Sequence, residues 1–256
     1  LKFLDPACGC GNILVITYRE LRLLELDILR VLYKNKIVTS IETIVYLDVD
    51  MMYGIEYEEF PARIAEVAMW LIDHQMNMLI SIEFGKYFAR LPLKKAATIV
   101  HGNALQVDWE NVVTKKKLSY ILGNPPFVGS RIMSKSQKKD LVDVFDSSKN
   151  IGDLDYVTAW YIKSAKYIQG TRIKVAFVST NSIVQGLQTS ILWRPMITKY
   201  HIKIHFAHQT FEWSNEARGN AAVYCVIIGF ANYDTNYKSI YEYEDIKGEP
   251  HEINAK

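Results

Sequence analysis

The sequence predicts a mostly parallel α/β sheet with helices on both faces and a closing antiparallel strand, and three observations carry that prediction. Short apolar runs near residues 1–5, 53–57, 98–105 and 118–123 alternate with segments long enough to be crossovers, the pattern of parallel strands. A turn of small residues and glycines follows the first run at once. The four runs also end in Asp5, Glu56, Asn103 and Asn124, which a parallel sheet would bring to one carboxyl edge, where such sheets bind ligands.

At 256 residues the chain is long enough for one large domain, or a domain with an appendage. Its 49% hydrophobic and 23% charged residues are those of a globular protein, which excludes the disordered and collagen-like classes. A formal charge of only +2 provides no strong whole-chain field for nucleic acid, so any basic surface must be local. Cys8, Cys10 and Cys225 make neither a disulfide framework nor a zinc spacing, which fits a reducing, cytoplasmic compartment. No apolar run approaches the roughly 20 residues of a membrane span, and no membrane association is expected. The chain opens at Leu1 inside the first strand, without a methionine, and reads as a piece of a longer polypeptide.

Residues 1–5 read as a short buried strand. Pro6-Ala7-Cys8-Gly9-Cys10-Gly11-Asn12 then lets the backbone turn tightly and approach a ligand, with Asn12 as the expected N-cap of the next helix. Ile13, Ile16, Leu21, Leu24, Ile28, Val31 and Leu32 recur at helical spacing, so a long helix over 13–34 is expected to bury them on the sheet. A glycine turn of this kind is also found in ordinary strand-to-helix connections. A longer connection follows, with room for a strand over 43–47. The second sheet strand ends in Glu56, an acid placed to accept from ribose hydroxyls or simply a solvated residue ahead of a helix. Asp48 and Asp50 in the connection read as solvated acids, not metal ligands. Pro61 suits the first turn of a helix running to about residue 80.

The fourth strand delivers Asn124-Pro125-Pro126-Phe127. Successive prolines fix φ and remove two N–H donors, while the residue before a proline is kept out of the helical region. The result is a stiff loop presenting an amide, unpaired carbonyls and an aromatic ring. Asn124 Oδ1 and the Pro125 carbonyl can accept the two hydrogens of an exocyclic amine while Phe127 stacks on its ring. A lone Pro-Pro pair more often marks a surface turn, so its weight comes from the company it keeps. Beyond it, residues 129–139 read as a polar loop whose Arg131 and Lys135 suit phosphate contact. A helix over 155–168, a strand over 173–178, a turn over 181–186 and strands over 202–207 and 222–230 complete the sheet. His201, His205 and His208 do not converge under strand alternation, and no metal site is expected.

In this order, Asp5-Pro6-Ala7-Cys8-Gly9-Cys10-Gly11-Asn12, Gly54-Ile55-Glu56, Gly102-Asn103-Ala104-Leu105 and Asn124-Pro125-Pro126-Phe127 resemble the motifs of S-adenosylmethionine-dependent DNA adenine-N6 methyltransferases. The glycine turn and Phe211-Glu212-Trp213-Ser214-Asn215-Glu216-Ala217 resemble the MmeI-like subgroup in particular, long polypeptides that join a nuclease, a methyltransferase and a DNA-reading region. The resemblance implies a Rossmann-like methyltransferase fold over 1–232, with 233–256 a partly ordered linker toward a DNA-recognition region. It implies that Asp5, Pro6, Ala7, Cys8, Gly9, Gly11 and Asn12 cradle the methionine part of S-adenosylmethionine. Glu56 would bind its ribose, and Tyr57, Asn103 and Ala104 its adenine. Many relatives carry an acid where Asn103 stands, and an aromatic where Ile13 stands. Asn124, Pro125, Pro126 and Phe127 would be catalytic on an adenine flipped out of double-stranded DNA, with Phe211 or Trp213 on the opposite face of the base. The nuclease and DNA-recognition regions of the same polypeptide would be further partners. The alternatives are N5-glutamine methylation of a protein, which uses a similar Asn-Pro-Pro loop, and a non-catalytic scaffold that binds the cofactor or DNA.

Overall fold

The computed structural model describes residues 1–38, 40–88, 96–146, 150–213, 223–246 and 248–254. Its strands are β1 (Phe3–Asp5), β2 (Met52–Glu56), β3 (Thr98–His101), β4 (Tyr120–Gly123), β5 (Lys174–Thr180), β6 (Lys203–Trp213), β7 (Val223–Ala231), β8 (Ser239–Glu242) and β9 (His251–Asn254). They form one sheet in the order β3-β2-β1-β4-β5-β7-β6-β8-β9. The pairs among β1 to β5 are all parallel, and β7 runs antiparallel between β5 and β6. Strand order reverses between β1 and β4, the switch point at which sheets of this class open a crevice beyond their carboxyl ends.

Neighbouring residues of β1 point to opposite faces, as the pleat requires. Phe3 joins Tyr18 and Met69 in the core beneath helices α1 (Asn12–Leu32) and α2 (Glu59–Phe84). Leu4 joins Trp160, Tyr161 and Leu192 in the larger core, covered by α3 (Lys135–Val144), α4 (Thr158–Tyr167) and α5 (Gly186–Thr198). Among the described residues no helix is long and apolar enough to cross a membrane.

Several expectations are corrected. Helix α1 is present, but Ile16, Leu24, Ile28, Val31 and Leu32 are exposed, and its buried face is Leu14, Tyr18, Arg22, Glu25, Leu26 and Leu29. The cause lies in two buried charges that break the apolar period. Arg22 reaches Asp73 (3.2 Å) and Asn77 (2.9 Å) on α2, and Glu25 accepts the backbone N–H groups of Tyr46 (2.7 Å) and Leu47 (2.9 Å). Those two N–H groups therefore go to a side chain, and no strand forms over 43–47. Asn12 is the first helical residue; the N-cap is Gly11, with φ +86° and no side-chain cap. Part of the basic loop over 129–139 is helix α3, capped by Ser134 and Gln137 accepting each other's backbone N–H groups. Helix α5, not anticipated, contains Pro195 and is tied down by Trp193 Nε1 donating to the Ile183 carbonyl (3.0 Å). Phe211, Glu212 and Trp213 are not a link between strands but the end of β6, paired with Cys225, Tyr224 and Val223. The stretch 233–256, expected as a linker, contributes β8 and β9, with β8 parallel to β6. Ser214-Asn215-Glu216-Ala217 of the subgroup motif lie outside the described residues.

Candidate active site

The carboxyl ends of β1, β2, β3 and β4 converge on a cavity of about 640 Å³. Pro6 and Ala7 line it from the turn after β1, Glu56 and Tyr57 from β2, Asn103 and Ala104 from β3, and Asn124 and Pro126 from β4. Eight of the residues singled out in the sequence thus share one wall. Ser134, Ser136, Gln137 and Asp140 from α3, and Tyr156 and Trp160 beside and within α4, close the other side.

The remaining turn residues shape this wall from behind. The Asp5 carboxylate accepts the Ala7 N–H (3.0 Å), and the Cys8 N–H donates to the Ile55 carbonyl (3.1 Å), so the turn is laced to the tip of β2. Trp160 Nε1 donates to the Pro6 carbonyl (2.9 Å) and clamps the turn from above. Glu56 is held by two backbone donors, the Gly9 N–H to Oε2 (2.8 Å) and the Glu58 N–H to Oε1 (2.9 Å). Each oxygen keeps an acceptor site, because a carboxylate offers about four in all. Tyr57 is exposed at the rim. Lys163 donates to the Leu105 (2.8 Å) and Val107 (2.7 Å) carbonyls, fixing the turn that follows Asn103; burial lowers its pKa to about 8.

Asp5 is fully buried, and this desolvation raises its pKa to about 7 against the pull of the Ala7 N–H, with the charge of Glu56 adding to the rise. The folded protein therefore holds a proton that the unfolded chain releases near 3.8, and stability falls as pH rises from about 4 to about 7. Asp5→Asn should abolish this slope. Its stability relative to wild type should be greater at pH 8 than at pH 4 by an amount on the order of 2–4 kcal/mol, read from urea unfolding at the two pH values. A pH-independent difference would show that Asp5 is ionised throughout.

Asn124 carries a different signature. Among the described residues its Oδ1 is buried without a hydrogen-bond partner, although the residue lines the cavity. Buried acceptors are seldom left unpaired, and an unmade hydrogen bond costs about 1–3 kcal/mol. Pro125 is buried behind it, and Phe127 is half-buried against the larger core.

Other predicted residues are not brought to the cavity wall. Arg131 and Lys135 are exposed and do not line it. Phe211 stacks on Tyr243 at 5.3 Å between ring centres, and Trp213 stands partly exposed at the tip of β6. Asn103 donates from Nδ2 to Asp140 (2.8 Å) and accepts the Leu105 N–H on Oδ1 (2.9 Å), so one of the two acceptor sites on the oxygen expected to meet adenine is already engaged within the protein. Asp140, Tyr156, Trp160 and Gln106 were not anticipated. The Ser134 to Gln137 spacing of a capping box was the available signal for Asp140, since it announces the helix that carries it.

A sheet of this order, with a glycine turn after β1, an acid after β2 and Asn-Pro-Pro-Phe after β4, defines the class of S-adenosylmethionine-dependent methyltransferase folds. Within that class the chain belongs to the MmeI DNA-methyltransferase domain family, whose model matches residues 1–242. It is 42% identical over 238 residues to DNA methyltransferase A of Bacillus subtilis (strain 168), covering 92% of this chain and 27% of that protein. The structure of the type IIL restriction-modification enzyme MmeI in complex with DNA is 58% identical, with a TM-score of 0.95, over 100% of this chain and 34% of that one. The M protein of the type I restriction enzyme EcoKI shares the fold at 16% identity and a TM-score of 0.51, over 94% of this chain and 44% of that one. The chain therefore spans about a third or less of the first two relatives.

Proposed function

We propose that this chain transfers a methyl group from S-adenosylmethionine to the N6 amino group of an adenine flipped out of double-stranded DNA, within a larger restriction-modification enzyme. The observation that carries this reading is the unpartnered Asn124 Oδ1 at the cavity wall. An acceptor buried without a donor is matched to a ligand that brings one, and an exocyclic amine brings two. The Pro125 carbonyl takes the second.

The residues present fit the cofactor. Glu56 has free acceptor sites for ribose hydroxyls, the turn over 5–12 would hold the methionine part, and Tyr57, Asn103 and Ala104, which line the same cavity, would hold the adenine. S-adenosylmethionine, when bound, supplies the electrophilic methyl group. Asn124 and Pro125 hold both amine hydrogens and so orient the nitrogen lone pair for direct attack, with the gain coming from orientation and preorganised dipoles. Phe127 would stack on the extruded base and offset part of the few kcal/mol that unstacking costs. Trp213 or Phe211 is proposed for the opposite face of the base, and the exposed Arg131 and Lys135 for phosphates. No cysteine nucleophile enters, and the free thiols of Cys8, Cys10 and Cys225 fit a cytoplasmic setting. The nuclease and DNA-recognition functions fall to other regions of the polypeptide.

The test is to supply the full-length protein with S-adenosylmethionine labelled in its methyl group and unmethylated double-stranded DNA, then digest the DNA to nucleosides. Label should appear in N6-methyladenine. Label in a cytosine product, or only in protein glutamine, would overturn the assignment.

A further inference from the structure

We propose that Asp140 is the acceptor for the 6-amino group of the cofactor's purine, a specificity role transferred to helix α3 from the position occupied by Asn103. The inference rests on the cofactor reading above. Asp140 is buried, yet it lines the cavity beside Asn103, Ala104 and Gln106. Its carboxylate is held from three sides. Oδ2 accepts from Asn103 Nδ2 (2.8 Å) and from the Tyr156 hydroxyl (2.9 Å), and Oδ1 accepts from Gln106 Nε2 (2.8 Å).

A carboxylate offers about two acceptor sites on each oxygen. Oδ2 is saturated by its two donors, whereas Oδ1 has one donor and one site to spare. The three donors fix the carboxyl plane, so that this last site is preorganised, and a charged acceptor makes the stronger kind of hydrogen bond. Asn103 is the weaker candidate: its neutral Oδ1 already accepts the Leu105 N–H and keeps only one acceptor site, its Nδ2 donates to Asp140, and a carboxylate makes the stronger hydrogen bond. The amide at 103 therefore orients the acid at 140, and the pair does the work of one acid on β3. The same bonds attach α3, with its capping box at Ser134, to the end of β3, so purine recognition is coupled to the seating of that helix over the cavity.

The test compares two compounds on the full-length protein by calorimetry, S-adenosylhomocysteine and its analogue with hydrogen in place of the 6-amino group. Wild type should prefer the amino compound by about 10- to 100-fold, the range for a hydrogen bond to a charged group. In Asp140→Asn the preference should fall to within about threefold. Tyr156→Phe removes one supporting donor but leaves Oδ1 in place, and should weaken both compounds together while keeping their ratio. Should Asp140→Asn not fold, Asp140→Ser is read in the same way. A wild-type ratio near one, or a variant at position 140 that retains the wild-type ratio, overturns the proposal. A hub that only supports the fold would change both affinities and leave the ratio alone. If wild type binds neither compound, the cofactor reading itself fails, and this proposal falls with it.

Discussion

Asn124→Ala should lower methyl transfer by about 10³-fold or more while changing cofactor affinity by less than about threefold. The magnitude follows from what one preorganised polar group contributes when aimed at the reacting atom in a water-excluded site. It falls on turnover because the amide is directed at the target amine, and the cofactor contacts come from other strand ends. Stability provides an internal control. Asn124 Oδ1 is a buried acceptor with no partner, so its removal relieves an unmet demand, and the variant should melt at or slightly above the wild-type temperature. Asn124→Asp, which retains an acceptor on a side chain of the same shape, should keep more activity than the alanine variant. Single-turnover transfer with saturating DNA, paired with calorimetric cofactor binding, measures both quantities. Near-normal turnover in Asn124→Ala would remove the amide from the chemistry.

The strand-end residues were legible in the sequence because a parallel sheet turns sequence order into spatial convergence. Once four buried runs are separated by crossovers, Asp5, Glu56, Asn103 and Asn124 must meet at one edge, and Glu56, Asn103 and Asn124 do line one cavity. The wall built by α3 and α4 was not legible in the same way. Asp140 reaches the cavity only because a helix begins at Lys135, inside a segment whose charge suggested a loop. Nothing in the spacing of Asn103 and Asp140 shows that their side chains bond.

Periodicity misled at α1 for a related reason. Counting apolar residues assigned the buried face to Ile16, Leu24 and Ile28, but burial there is decided by partners as much as by hydrophobicity. Arg22 and Glu25 are inside because Asp73, Asn77 and two backbone amides bond to them while the two charges lie 3.3 Å apart, and those hydrogen-bond partners lie 21 to 55 residues away. Buried polar groups persist where their bonds are made. The sheet beyond β7 was misjudged because Tyr and acidic residues after 232 lack a strong apolar alternation, yet β8 finds an edge on β6 to pair with.

The glycines of the turn after β1 should be unequal, with Gly11→Ala destabilising by about 2–4 kcal/mol and Gly9→Ala by about 1–2 kcal/mol. Both have positive φ, +55° at Gly9 and +86° at Gly11, so a side chain at either incurs left-handed strain. What separates them is space. A Cβ on Gly9 meets nothing within 4 Å, whereas one on Gly11 would lie 3.1 Å from the Ala65 Cβ and 3.2 Å from its Cα. The Ala65 Cα is backbone within α2 and cannot rotate aside, so α2 must give by a few tenths of an ångström, and the overpacking adds to the strain. Gly11 is also the N-cap of α1, and Val15 N–H bonds to its carbonyl at 2.8 Å, so displacement there moves the helix start together with the turn. The Gly9 N–H that supports Glu56 survives replacement by alanine. Cofactor affinity should accordingly drop more in Gly11→Ala than in Gly9→Ala. Urea unfolding and calorimetry on the two variants measure the contrast, and equal losses at both positions would show that backbone strain alone governs the turn and that the contact with Ala65 is immaterial.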